Sequence, residues 1–119
     1  MAINSKIKGD KGEIELAHKL EEYGYTARRS VQYNGKDGQA DVIGLPKIHI
    51  ECKRVEKLNI YNAIDQAKRD AKNGDMPTVF HRKNRSNWLV TMELDEFMKL
   101  YDCFMKCKRL TEYIENNGG

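Results

Sequence analysis

Asp41 and the run Glu51-Cys52-Lys53 have the residue types and spacing for metal-assisted hydrolysis of a phosphodiester. The run sits in Lys47-Ile48-His49-Ile50-Glu51-Cys52-Lys53, where apolar and polar residues alternate. In a strand, that period of two sends Ile48, Ile50 and Cys52 to one face and His49, Glu51 and Lys53 to the other. A short hairpin centred on Pro46 places Asp41 directly across from Glu51. Carboxylates facing each other on adjacent strands repel. A cation offsets the repulsion: the neighbouring lysine is one, and a divalent metal bound by hard oxygens is a better one. A metal there lowers the pKa of a bound water and polarises a phosphate. Lys53 would orient the attacking water or stabilise the developing charge.

The elements that position these residues follow from pattern and punctuation. Ile14, Ala17, Leu20 and Tyr23 form a stripe on a helix over about residues 6 to 23, with Gly24 as its stop. Residues 25 to 33 read as a strand, and Asn34-Gly35-Lys36-Asp37-Gly38 is turn chemistry. Strands follow at 40 to 44 and 48 to 54. A second helix runs from Asn59 to Lys72, carrying Ile60, Ala63, Ile64, Ala67 and Ala71, and ends at Asn73-Gly74. Residues 78 to 82 and 87 to 91 read as two more strands around a polar loop. Thr91 then caps a long last helix with Leu94, Phe97, Met98, Tyr101, Phe104 and Met105 on one face. The order α-β-β-β-α-β-β-α predicts an α/β fold, a mixed five-stranded sheet flanked by helices. Residues 1–119 read as one domain, with a core over 6–92 and an additional C-terminal helix over 93–116.

That order, with acids at these points, resembles the PD-(D/E)xK nuclease superfamily and, within it, the Holliday junction resolvases of archaeal and phage type. The resemblance covers about residues 8 to 92. Lys8-Gly9-x-x-x-Glu13-x-Glu15-Leu16 is similar to the opening helix of those resolvases, whose glutamate joins the metal site. Arg29-Ser30 follows as an Arg-Ser pair does in that family, and Asp41 with Glu51-x-Lys53 matches the core motif. Ala40 stands where the family pattern has a proline. The resemblance implies a restriction-endonuclease-like sheet and a Mg²⁺-dependent endodeoxyribonuclease, with Mn²⁺ as a substitute metal. Its catalytic set is Glu13, Asp41, Glu51 and Lys53, and its metal ligands are Glu13, Asp41, Glu51 and the backbone carbonyl of Cys52. The implied substrate is branched DNA, a four-way junction, cut in recombination or repair. Two symmetric cuts need two active sites, hence a twofold homodimer.

Several residues carry a second reading. If Asp10 caps the first helix, Asp10-x-x-Glu13 is a capping box and Glu13 a structural residue. Asp41 could be a turn acid, and Glu51 with Lys53 a solvated surface pair. His49 shares the face of Glu51 and could touch a phosphate or be structural. Gln66 lies on the second helix, where related nucleases carry a supporting polar residue. Lys8, Arg29, Ser30, Arg82, Lys83 and Arg85 are candidate DNA contacts, suited to phosphates and so to affinity without sequence reading. Arg28 and Arg29 are neighbours on a strand, so only one reaches the active-site side. The fold also admits nicking, restriction-like or repair cleavage of duplex or flapped DNA, or a non-catalytic DNA-binding role. The intact acids and lysine speak against the last.

Composition sets the remaining bounds. The chain has 119 residues, of which 39% are hydrophobic and 33% charged, which suits an ordinary soluble domain. A net charge of +3 permits nucleic-acid binding without requiring it. No zinc finger, helix-turn-helix or base-stacking motif is evident, so recognition of DNA shape fits better than base reading. No apolar run is long enough to span a bilayer, and the N-terminus lacks an apolar signal region. Three cysteines without metal-finger spacing point to free thiols in a reducing cytoplasm, and the small size without a second domain favours a phage or mobile-element setting, in a bacterial or phage-infected host.

Overall fold

The computed structural model describes residues 2–30 and 40–118, with side chains over 11–30 and 40–118. Along the chain run α1 (Ala2–Glu21), β1 (Arg28–Arg29), β2 (Val42–Ile43), β3 (Ile48–Arg54), α2 (Ile60–Asp70), β4 (Met76–Arg82), β5 (Leu89–Thr91) and α3 (Leu94–Asn116). This is the predicted order. The sheet runs β1-β2-β3-β4-β5. Neighbours are antiparallel except β3 and β4, which are parallel. A parallel pair needs a crossover, and α2 supplies it.

β3 is the middle strand, and its residues His49, Ile50, Glu51 and Cys52 are all buried. Its alternation separates two cores. Leu16, Ala17 and Leu20 of α1 pack on Val42, Ile50, Cys52 and Phe80. On the opposite face Ala63, Ile64 and Ala67 of α2 pack on Val79. Alanines at 63 and 67 let α2 approach the sheet closely. Each fully buried aliphatic side chain contributes about 1.5–3 kcal/mol, so β3 is anchored from both faces.

Local chemistry explains the element ends. Asn59 caps α2, its side chain accepting the Asn62 amide at 3.1 Å. After α1 the chain turns through Gly24 at φ 93°, the predicted stop. Gly44 has φ 139°, and a Cβ there would lie 2.6 Å from both Ala27 Cα and Thr26 O. Only glycine lets the turn between β2 and β3 pass that backbone so closely.

Several boundaries differ from expectation. β1 and β2 are two-residue strands, shorter than the predicted 25–33 and 40–44. The predicted turn at 34–38 lies outside the described residues. α1 begins at Ala2, which puts Asp10 and Glu13 inside the helix and removes the capping-box reading. Thr91 does not cap α3. It ends β5, with Oγ1 2.8 Å from His81 Nε2, and Glu93 takes the N-cap position without a side-chain hydrogen bond. Asp95 and Glu96 in the first turn of α3 oppose the helix dipole instead. α3 buries no residue, and its Cys103 and Cys107 are exposed free thiols. Among the described residues no helix is long and apolar enough to cross a membrane.

Candidate active site

The β2–β3 pairing brings the two central acids together. Val42 faces Ile50, so the next position sets Asp41 beside Glu51, as the hairpin argument requires. The Asp41 backbone is fixed on both sides: its amide donates to Ile50 O and its carbonyl accepts the Ser30 amide, each at 2.9 Å. Asp41 Oδ2 accepts the Cys52 amide at 2.8 Å. The Cys52 side chain points into the α1 core, where burial, then the Asp41 charge, pushes its thiol pKa up. Cys52 therefore serves the site through its backbone.

Glu51 is 1% exposed, an unusual state for a carboxylate. Its Oε1 lies 3.2 Å from Nε2 of His49, itself 3% exposed, and its Oε2 lies 3.9 Å from Lys53 Nζ. Lys53 Nζ donates to Gln66 Oε1 of α2 at 2.9 Å, so Gln66 holds the lysine in place. On α1, Glu13 Oε2 lies 2.6 Å from Arg29 Nε, an ion pair across 16 residues of sequence. Burial, then the charge of Glu51, pushes the Asp41 carboxyl up to about 7, against the opposing pull of the Cys52 amide; the charge of Glu13 adds to the rise. Glu13, Asp41, Glu51 and Lys53 are thus electrostatically linked although they come from α1, β3 and the residue before β2.

Whether a dication suits these residues turns on their donor chemistry. Among the described residues no three His, Cys, Asp or Glu side chains already surround one point. Glu13 is held by Arg29, and one oxygen of Glu51 is held by His49. Asp41 and Glu51 still offer hard oxygens side by side, and Asp41 has no cationic partner among the described residues. A divalent ion would relieve the repulsion that raises Asp41. The fit therefore rests on this pair.

The other expected residues divide. Arg29 is the ion-pair partner of Glu13, and Ser30 supports Asp41 through its amide. Arg82 Nη1 lies 2.7 Å from Glu15 Oε1, and its guanidinium stands 5.8 Å from the Trp88 ring. That ion pair lacks hydrogen-bond alignment, since Glu15 Oε1 and Arg82 Nε each have no hydrogen-bond partner. Lys83 and Arg85 are exposed on the loop between β4 and β5. The side chain of Lys8 lies outside the described residues. His49, which the sequence left as a phosphate contact or a structural residue, is buried against Glu51, as the structural reading has it. The signal that marks such burial is the parallel β3–β4 pairing, because parallel sheets are covered on both faces.

Residues 4–116 match the family model described as "Phage putative PDDEXK endonuclease". Comparison with curated proteins gives no match. Among solved structures the chain is similar to Archaeoglobus fulgidus Hjc, a Holliday junction resolvase from an archaeal hyperthermophile. The TM-score is 0.55, with 19% identity, over 69% of this chain and 74% of that chain. At that identity the likeness speaks for the fold, the restriction-endonuclease-like sheet that the element order predicts.

The raised Asp41 pKa fixes a sign. A carboxyl whose folded pKa lies above its unfolded value contributes stability below about 3.8 and loses it as pH rises through about 7. In EDTA, Asp41→Asn should therefore be more stable than the parent at about pH 8, by on the order of 1–3 kcal/mol, and the gap should close toward about pH 4. Urea unfolding across that range checks it; a variant less stable at every pH would contradict it.

Proposed function

This chain belongs to the phage PDDEXK endonuclease family, and from that premise we propose that it is a Mg²⁺-dependent endodeoxyribonuclease that cuts branched DNA, the four-way Holliday junction first. The observation that carries the reading is the pair Asp41–Glu51 with Lys53 alongside, on a sheet similar in fold to the archaeal resolvase. A protein that holds two acids together against their repulsion has a use for a cation there.

Asp41, Glu51 and Glu13 are the residues that would hold Mg²⁺, or Mn²⁺ in its place, with the Cys52 carbonyl as a further donor. When bound, the ion supplies charge stabilisation for the phosphate and acidifies a water. The chain's own residues do the rest. His49, with Nε2 protonated, donates to Glu51 Oε1 and leaves Oε2 turned to the site. Gln66 fixes Lys53 Nζ, so the ammonium can orient the attacking water or face the charge that builds on the phosphate. Arg29 sets Glu13 at the rim, and Lys83 and Arg85 offer phosphate contacts on the exposed loop.

A junction resolvase cuts two symmetric strands, and α3 supplies a surface on which two copies can meet. Leu94, Phe97, Met98, Leu100, Tyr101 and Phe104 are each between 40% and 72% exposed. Leu94, Phe97, Met98, Tyr101 and Phe104 lie on one face of the helix, whereas Leu110, Tyr113 and Ile114 come round to the other side, so the first group is the patch. Tyr101 stacks with Phe97 at 6.3 Å and meets Phe104 at 6.5 Å, so the patch is preformed. A second copy fits this surface, because two symmetric cuts call for two sites in one particle. Sedimentation should then give about twice the 13.8 kDa chain mass. Phe97→Asp/Phe104→Asp should give the chain mass, and a monomeric parent would sink the dimer.

The deciding assay is cleavage of a synthetic four-way junction beside a linear duplex of the same sequence, in Mg²⁺ and in EDTA. Paired symmetric cuts in the junction alone, only with Mg²⁺, are the expected result. Asp41→Asn and Glu51→Gln should lower cleavage by on the order of a thousandfold while DNA binding survives, and Lys53→Ala by about a hundredfold or more. Cutting of both substrates would keep the nuclease and move it to duplex or flapped DNA. Equal cleavage by the acid variants and the parent would overturn the site.

A further inference from the structure

A cavity of about 520 Å³ opens against Ala40 and His49, neighbours of the acid pair, at the end of the sheet away from Lys53 and Gln66. It is within the roughly 300–1,000 Å³ range of small-ligand sites. Ala40, next to Asp41, and His49, the partner of Glu51, form the wall it shares with the site. Arg28, Lys47 and Lys72 line it against one acid, Asp75. These three cations make no ion pair among the described residues, in contrast to Arg29, Lys53, Arg54 and Arg82, which are each paired.

The backbone here is constrained as well. Lys47 sits at φ 73°, a left-handed conformation uncommon for a side chain other than glycine or asparagine. Its carbonyl accepts the Met76 amide at 2.8 Å, and the Lys72 carbonyl accepts the Asp75 amide at 3.0 Å. The turn before β3 and the turn after α2 are therefore tied together, which brings lysines 25 residues apart to the rim of one cavity. Strain of this kind persists where the surroundings fix it and clusters at ligand sites.

We infer that this cavity seats the nucleotide next to the cleaved linkage, its phosphate against Arg28, Lys47 and Lys72. The inference rests on the endonuclease reading and adds a subsite to it. Three cations with no ion pair among the described residues suit an anion, the volume suits one nucleotide, and Ala40 and His49 in the wall set that nucleotide beside the residues that carry the acids. Base identity is not read, because phosphate contacts carry no sequence information.

The test uses binding, separately from cleavage. In the full-length Asp41→Asn background, affinity for a fluorescein-labelled four-way junction is measured from low to high salt. Lys47→Asn/Lys72→Gln removes two of the cations, and asparagine tolerates the positive φ at 47. The expected result is a loss of about tenfold or more in affinity and a salt slope shallower by about one per bound protomer, with the melting temperature unchanged. Lys19→Ala/Lys106→Ala removes two exposed lysines outside the cavity and should leave both readouts near the parent values. Thymidine monophosphate added to the Asp41→Asn protein should shift the amide resonances of Gly44 and Ile48, and should fail to do so in the cavity variant. Affinity and salt slope unchanged in the cavity variant would overturn the subsite and leave the nuclease reading intact. A parent protein that binds no DNA at all would overturn both.

Discussion

The repulsion between Asp41 and Glu51 is the constraint around which the rest of the molecule is arranged. Two carboxylates are held side by side, one of them fully buried, with a single lysine 3.9 Å from Glu51. Burial and mutual charge both oppose ionisation there, and the upward push on Asp41 expresses that opposition. A fold selected for stability alone would separate these groups or replace one. The arrangement suits a site at which a cation offsets the two charges.

Every nearby element works to hold the pair. β3 is central, so its backbone is fixed by ladders on both sides and Glu51 cannot swing out to water. The Cys52 amide and the Ser30 amide anchor Asp41. His49 and Gln66 hold Glu51 and Lys53 from the face covered by α2, and Arg29 holds Glu13 from the face covered by α1. His49 and Cys52 among these partners are buried, where a hydrogen bond is electrostatically stronger than in water. The apolar packing of Leu16, Ala17, Ala63 and Ala67 thus has a second consequence, since it keeps water from screening the acids.

Much of this was legible in the sequence, for physical reasons. The alternation of residues 48 to 54 matches β3 to the residue, and the start of α2 expected at Asn59 lies one residue before its first helical position. The hairpin argument placed Asp41 beside Glu51 because strand period and turn position fix register. What escaped the sequence depends on contacts between distant segments. Arg29 with Glu13 and Arg82 with Glu15 look like free basic residues in sequence, because nothing local reveals an ion-pair partner elsewhere in the chain. The burial of His49 follows from the parallel β4 and the covering α2, not from its own strand. The lengths of β1 and β2 depend on pairing geometry, which propensity does not encode. For α3 the apolar face was plain, yet that none of its residues is buried was not.

The central claim is that Asp41 and Glu51 form a repulsive pair relieved by a divalent ion. A carbon-detected NMR titration of the two carboxyls, in EDTA and in saturating Mg²⁺, tests it directly. Without metal Asp41 should titrate near 7, and with Mg²⁺ its midpoint should fall back to or below the ordinary 3.8. An Asp41 that titrates near 3.8 in EDTA and is unmoved by Mg²⁺ would contradict it.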